Sequence, residues 1–429
     1  MEAKMSHDLE IKIENLRAIR SAEIGLSGIS VLAGPNGCGK STISKLLFAL
    51  FYTQEKFETL VCQDLYQNYS QIQNFAFVLY QESSAVRILN RVLLFKRSLP
   101  KSDSFVQACY YLKKHTAQIV EEIDRLQLSR EQETKQKKLL QTACKNLNLK
   151  IEFQGTLQNI LETVVDEIIN QKQTILDNRD SQVLDSQLDN LFRQANVMKR
   201  FNVYQQELPL LNNNNLSPCL SVQKAVYVDT PLVIDLFENQ GRRPDNPLYW
   251  DYLYLLIYNN DKNTRKTNWA VKYINETIGG RIDFQTNSGR LVYLPENSQE
   301  VFELDQCASG IKSFAILERL LDTGYLDNET LLIVDEPEVH LHPEWVVKYA
   351  KALILLHQKL GVRIVVSSHD PDFVSAIKYM GQKLGLDQTV NFYFAQKNGT
   401  QYDFIPQGND ISQIFKSFNK ALAEIREYK

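Results

Sequence analysis

At 429 residues the chain exceeds a usual single domain and calls for two or three domains, or for one domain with a large insertion. Hydrophobic residues make up 44%, charged residues 23%, and the net charge is −3. That suits a globular protein and excludes a chain whose overall charge would hold nucleic acid, so any such binding needs a local basic patch. No apolar run approaches the ~18 residues of a bilayer span, and the polar stretch 1–10 is no secretion signal. The cysteines Cys38, Cys62, Cys109, Cys144, Cys219 and Cys307 are scattered, with no C-x-x-C pair. They read as reduced thiols of a cytoplasmic protein.

Residues 9–24 alternate apolar and polar, as at Ile11, Ile13 and Leu16, and read as a strand pair at a sheet edge. Residues 29–33 form a short apolar strand that runs into glycines. From Thr42 the pattern turns helical, with Ile43, Leu46, Leu47 and Leu50 on one face. Residues 53–104 are mixed, with 75–79 and 92–95 read as strands. From Ser104 to Phe201 there is no proline and a single glycine, Gly155. Leu112, Ile119, Ile123 and Leu126 fall at helical spacing, as do Leu157, Ile160, Leu161, Val164, Ile168 and Ile175, then Leu184, Leu188 and Leu191. This predicts two long helices folded back near 147–156 as a helical hairpin or coiled-coil arm, with a compact helical subdomain as the alternative. The purely polar stretch 129–138 breaks the heptad phase.

Residues 212–218 read as a linker, followed by a strand at 225–228 that ends in Asp229-Thr230-Pro231. Residues 245–274 read as helical and 281–294 as a hairpin around Asn287-Ser288-Gly289. A helix over 311–321, a strand over 331–334, a helix over 344–360 and a strand over 362–367 follow. This alternation predicts an α/β fold with a parallel sheet. A hairpin turns at Asn398-Gly399 and a helix ends the chain. The predicted organisation is a lobe over 1–104, a helical insertion over 105–205 and a second lobe over 220–429.

Two motifs give the chemistry. Gly34-Pro35-Asn36-Gly37-Cys38-Gly39-Lys40-Ser41-Thr42 matches G-x-x-x-x-G-K-[ST] between a strand and a helix. Glycines let backbone N–H groups turn onto phosphates, and the helix start adds its positive dipole end. Lys40 should reach the β- and γ-phosphates, and Ser41 should offer its hydroxyl to Mg²⁺. Cys38 reads as a bystander. Far along the chain, Leu331-Leu332-Ile333-Val334-Asp335-Glu336 is an apolar strand that ends in two acids. Asp335 is placed to hold the Mg²⁺ shell and Glu336 to polarise an attacking water as general base. His369, at the tip of the next strand, is placed to contact a γ-phosphate.

Ser309 and Gly310 open a helix, where an anion can bind and where a plain N-cap is the alternative. His340-x-His342 with Glu338 has ligand-like spacing but no supporting cluster. Lys113, Lys114, Arg125, Arg130, Lys135, Lys137, Lys138 and Lys145 gather on one helical stretch, but Glu121, Glu122, Asp124, Glu131 and Glu133 interleave with them. The usual reading of such a pattern is a solvated face.

These elements in this order resemble the ATP-binding-cassette ATPase superfamily, in the branch of the SMC, RecF and overcoming-lysogenisation-defect ATPases. "IKIENLRAIRSAEIGLSGISVLAGPNGCGKST", "LLIVDEPEVHLHP" and "VVSSHDPDFVSAI" are similar to that branch's Walker A, Walker B with D-loop, and switch-histidine segments. The resemblance covers about 9–60 and 225–405, and the branch inserts helical arms between its two lobes. It implies an ATP- and Mg²⁺-dependent ATPase head with a mixed sheet, flanking helices and an inserted arm. It also implies that Ser309 and Gly310 contact ATP held by a second copy. The sequence departs from the family pattern where Ile311 and Lys312 stand in place of Gly and Gln, which argues against a transporter subunit. No glutamine is assigned to the Q-loop. The stretch after His369 suffices only to finish the head, so a Toprim nuclease is expected to be absent. Stand-alone ATPases of this type resemble the ATPase subunits of the anti-phage systems Septu and PARIS, which implies a separate nuclease partner. The alternatives are a DNA-binding repair ATPase and a non-hydrolysing assembly module.

Overall fold

The structure is a computed structural model that describes residues 8–81, 101–126, 128–194, 196–212, 214–240, 246–259, 268–408 and 410–416. It divides into two compact units, Met1–Glu55 with Leu184–Lys429, and Lys56–Val183.

The first unit is built on a ten-stranded sheet. In chain order its strands are β1 (Leu9–Leu16), β2 (Ile19–Gly25), β3 (Ile29–Ala33), β4 (Phe201–Gln205) and the short β5 (Leu208–Pro209). A two-stranded hairpin, β6 (Leu211–Asn212) and β7 (Asn215–Leu216), precedes β8 (Lys224–Val228). A separate antiparallel sheet holds β9 (Gly280–Gln285), β10 (Arg290–Pro295) and β11 (Phe302–Glu303). The large sheet resumes with β12 (Thr330–Asp335), β13 (Arg363–Ser368), β14 (Val390–Asn398) and β15 (Gln401–Pro406). Its order is β5-β4-β1-β2-β15-β14-β3-β13-β12-β8.

The strands β14, β3, β13, β12 and β8 run parallel. Every residue of β3 and β12 is buried, as expected of parallel strands covered on both faces. Helix α1 (Lys40–Glu55) follows β3 and buries Phe48 and Phe51. In the second unit, α2 (Phe57–Gln81), α3 (Phe105–Leu126), α4 (Arg130–Asn146) and α5 (Leu157–Asp177) pack on one another. They bury Leu65, Leu112, Leu140, Leu161 and Val164 among others. The first unit also contains α7 (Val233–Gln240), α8 (Leu248–Ile257), α9 (Asn268–Ile278), α10 (Ser309–Asp322), α11 (Pro343–Leu360) and α12 (Pro371–Lys383). Before them, α6 (Gln182–Phe192) crosses the division between the units.

The structure corrects the sequence reading at several elements. The strand pair β1–β2 is not at an edge, because β4 pairs with β1, and β4 comes from a stretch assigned to the insertion. Residues 75–79 lie inside α2. Residues 92–95 lie outside the described residues, as does most of the expected C-terminal helix. The two long helices are shorter pieces. Ser129 accepts from the Gln132 backbone while the Gln132 side chain accepts from the Ser129 backbone, a capping box that starts α4 anew. Thr156 caps α5 by a single bond, its side chain accepting from the Asn159 backbone at 3.3 Å.

Candidate functional site

Parallel strands place their C-terminal ends on one edge of a sheet, where ligands of open α/β folds sit. Here the register sets Ala33 of β3 beside Ser368 of β13, Ser367 beside Asp335 of β12, and Val334 beside Val228 of β8. The residues just past those ends are Gly34, His369, Glu336 and Asp229.

The loop after β3 closes tightly. Gly39 has φ +108°, and a Cβ there would stand 2.5 Å from Ile19 Cγ1, so only glycine fits. The N–H groups of Thr42 and Ile43 donate to Gly39 O at 3.0 and 3.2 Å. Lys40 is 4% exposed. Its Nζ donates to Gly34 O at 2.9 Å and Pro35 O at 3.3 Å, so the ammonium points into the cradle of its own loop. Ser41 is exposed at the helix start. Cys38 is fully buried, and burial pushes its thiol up, which suits a packing role and not a reactive one.

Asp335 is 8% exposed. Its Oδ2 accepts from Tyr227 Oη at 2.9 Å, while its Oδ1 has no partner among the described residues. Burial and the Asp335 charge push the Tyr227 phenol well up. At the tip of β8, Asp229 Oδ1 accepts from Trp250 Nε1 at 2.7 Å. Burial first, and then the charge of Asp335, raise the Asp229 carboxyl to about 6 against the lowering effect of Trp250. Asp229, Asp335, Glu336 and His340 line one cleft. An unpartnered oxygen on buried Asp335, in a cleft also lined by Asp229 and Glu336, suits an oxygen-seeking divalent cation.

Glu336 has φ 48° and ψ 54°, a left-handed conformation that a non-glycine residue holds at a cost of order ~1–3 kcal/mol. Its N–H donates to Ser367 O at 2.9 Å. The turn brings its carboxylate to 3.7 Å from Lys40 Nζ and 3.4 Å from His369 Nδ1. Glu338 Oε1 accepts from Ser368 Oγ and from the His369 N–H, both at 2.8 Å, and lies 3.3 Å from His369 Nδ1. Burial raises the Glu338 carboxyl, with those bonds opposing. His369 Nδ1 is close to both carboxylates yet off the axis of a hydrogen bond to either.

The structure therefore brings Lys40, Glu336 and His369 together beside Asp335. It does not add Ser309 and Gly310 to that group. Ser309 Oγ donates to His340 O at 3.1 Å, and a Cβ on Gly310 would stand 2.8 Å from the Trp345 ring. Glu338, His340 and His342 do not converge either. His340 faces Thr230 Oγ1 at 3.4 Å, and the His342 ring accepts from the Glu344 N–H. Lys312, in place of the signature glutamine, is buried and donates to Asp235 and to Asp305 O.

Sequence reasoning missed Asp229, Tyr227 and the part played by Glu338. A signal existed for Asp229: an apolar strand running directly into an acid, as at Asp335.

Two family models match the chain. One, described as "AAA domain, putative AbiEii toxin, Type IV TA system", covers residues 158–375, about half of the chain. The other, "AAA ATPase domain", covers residues 9–206. The Septu protein PtuA of Bacillus thuringiensis is 33% identical over 92 residues, 21% of this chain and 22% of that protein. The chain thus matches about a fifth of the length of that relative. Among solved structures, the SMC head domain of Pyrococcus furiosus, bound to the C-terminal domain of ScpA, aligns at 10% identity and a TM-score of 0.35, covering 97% of this chain and 98% of the other. The SMC head domain from Thermotoga maritima aligns at 9% identity and a TM-score of 0.35, covering 92% and 97%.

Proposed function

The chain belongs to the AAA domain family, and from that premise we propose that it is a Mg²⁺-dependent ATPase whose heads pair around ATP. The observation that supports this best is the meeting of Lys40, Glu336 and His369 within 3.4–3.7 Å at the carboxyl ends of parallel strands. Backbone N–H groups of 34–39 and the start of α1 bind the phosphates, with Lys40 Nζ leaving its loop carbonyls for the β- and γ-oxygens. Ser41 Oγ and Asp335 Oδ1, which has no partner among the described residues, would hold Mg²⁺, and the ion would neutralise charge building up on the phosphates. Glu336 takes a proton from the attacking water, and His369 contacts the γ-phosphate. Ser309 and Gly310 face ATP on a second copy. Ser309 is half-buried and Gly310 buried, and the turn at 337–341 that Ser309 bonds exposes Val339, 55% accessible, to a second head.

As to what the heads serve, the partial similarity to a Septu protein supports a cytoplasmic sensor and scaffold subunit of an anti-phage complex with a separate effector nuclease. The rival reading, a repair ATPase that holds DNA on its helical unit, has less support. Lys113 pairs with Asp166 at 2.9 Å, Lys137 with Glu133 at 2.8 Å, and Arg125 with Glu122. Cations already paired on a mixed face neutralise few phosphates.

The test is ATP turnover and assembly mass for the wild type, Lys40→Ala and Glu336→Gln. Turnover by the wild type is expected, with loss of at least 100-fold in Glu336→Gln and accumulation of an ATP-bound assembly of doubled mass. Lys40→Ala should bind no ATP. A wild type that binds ATP with no turnover and no change of mass would favour the assembly-module reading. Co-purification of a nuclease against retention on DNA separates the two biological readings.

A further inference from the structure

Glu338 is assigned no part in the ATPase chemistry, although its Oε1 accepts two hydrogen bonds while its Oε2 has no partner among the described residues. It is 9% exposed, and a buried carboxylate needs partners to remain there. One oxygen, Oε1, takes two donors from consecutive residues, Ser368 Oγ and the His369 N–H. Ser368 Oγ in turn accepts from the Asp370 N–H at 3.1 Å, and Asp370 Oδ1 caps α12 through the Phe373 N–H at 2.7 Å. The backbone of 368–370 is thereby pinned between the end of β13 and the start of α12. Its orientation is set from the turn that follows β12. The same Oε1 lies 3.3 Å from His369 Nδ1, with Glu336 Oε1 at 3.4 Å from that atom. Two carboxylates beside one ring nitrogen favour the proton on it. A neutral imidazole with Nδ1–H presents Nε2, on its other edge, as the acceptor or metal-shell partner.

We infer that Glu338 is the positioning residue of His369, fixing both the backbone at the strand end and the nitrogen that bears the proton. The inference rests on the ATPase reading for its consequence in turnover, but its geometric content does not. A side chain that merely packs the turn would leave the tautomer of His369 unchanged. A side chain that acts through His369 would lose its effect once that ring is gone.

The experiment uses the full chain in four forms: wild type, Glu338→Gln, His369→Ala and the double variant Glu338→Gln/His369→Ala. Glutamine keeps a carbonyl oxygen for Ser368 and the His369 N–H, removes the charge and replaces the second acceptor oxygen by an NH2 donor. Nitrogen NMR of histidine-labelled protein without nucleotide reads the tautomer, with the His369 signal identified by its loss in His369→Ala. The wild type should show protonated Nδ1, and Glu338→Gln should show a mixture. In turnover, Glu338→Gln should lower kcat about 10–100-fold, the scale of losing a partner that orients a functional histidine, with KM for ATP changed less than twofold. The double variant should be no slower than His369→Ala alone, since residues acting as a unit are non-additive. An unchanged tautomer in Glu338→Gln, or additive losses in the double variant, would overturn the assignment. If the wild type turns over no ATP, the ATPase reading fails while the NMR result still decides the positioning of His369. Should Glu338→Gln not fold, Glu338→Asp replaces it. The shortened carboxylate should displace the Nδ1 signal while keeping the charge, and an unmoved signal would count against the assignment.

Discussion

Side chains are excluded at two glycines, Gly39 in the site and Gly310 outside it, by different causes. Gly39 combines φ +108° with a Cβ position 2.5 Å from Ile19 Cγ1. Gly310 sits in ordinary helix, with its Cβ position 2.8 Å from Trp345. Gly39→Ala should therefore cost stability twice over, ~1–2 kcal/mol for the backbone and ~1–3 kcal/mol for the overlap. It should also weaken ATP binding at least tenfold. Ile19 is fully buried, so Ile19→Ala alone should cost ~2–5 kcal/mol. The double variant should lose less than the sum of the two single losses, because the overlap goes while the backbone penalty stays. Strictly additive losses would show that the overlap had relaxed without cost. Gly310→Ala should be relieved by Trp345→Leu, since no backbone penalty applies there. These positions also show what a sequence reveals of a site. Lys40, Asp335, Glu336 and His369 were legible because each follows a strand at a chemically diagnostic spacing. Glu338 was not, because its meaning lies in hydrogen bonds to Ser368 and His369 thirty residues away in sequence.

The elements followed the same division between local and distant causes. The strands β3, β12 and β13 were legible as apolar runs bounded by turn or cap residues, and the hairpin β14–β15 by Asn398-Gly399. The helix α2 was not read, because the short apolar run at 75–79 fits either period until its neighbours are known. The strand β4 was hidden behind a long helical stretch, and only its pairing with β1 gives it away. The break at Ser129 was visible as polarity, but its cause is the reciprocal cap with Gln132. Ser129→Ala should thus destabilise the helical unit by ~1 kcal/mol, with hydrogen exchange quickening first in the leading turn of α4. Thr156→Ala should do the same for α5. Uniform exchange across the unit in either variant would mean that the caps are dispensable to local order.

At the scale of the whole chain, the two units contain buried titratable groups that respond to pH in opposite senses. In the helical unit His115 is buried, with Tyr69 Oη 2.8 Å from Nδ1. Burial lowers its pKa from 6.5 to about 4. Between those values the unfolded chain binds a proton that the folded unit refuses, so stability is lost as the pH falls from 6.5 towards 4. The loss amounts to about 3 kcal/mol at ~1.4 kcal/mol per unit. In the other unit Glu318, on α10, is 2% exposed, and burial together with Asp322 raises its pKa from 4.5 to about 8. There the folded unit keeps a proton that the unfolded chain has released, so stability falls as the pH rises from 4.5 to 8. A chain with two compact units need not melt in one step. Calorimetry from pH 4 to 8 should resolve two transitions that shift apart: the helical unit should gain as the head loses. His115→Asn, which keeps an acceptor for Tyr69, should flatten the first slope, and Glu318→Gln should remove its own share of the second, leaving those of Asp229 and Glu338, which burial raises, and of His340 and His357, which burial lowers. Each should leave the other slope in place. A single transition that moves as one body in both variants would show that the units unfold together, with the two protons offsetting each other within one cooperative event.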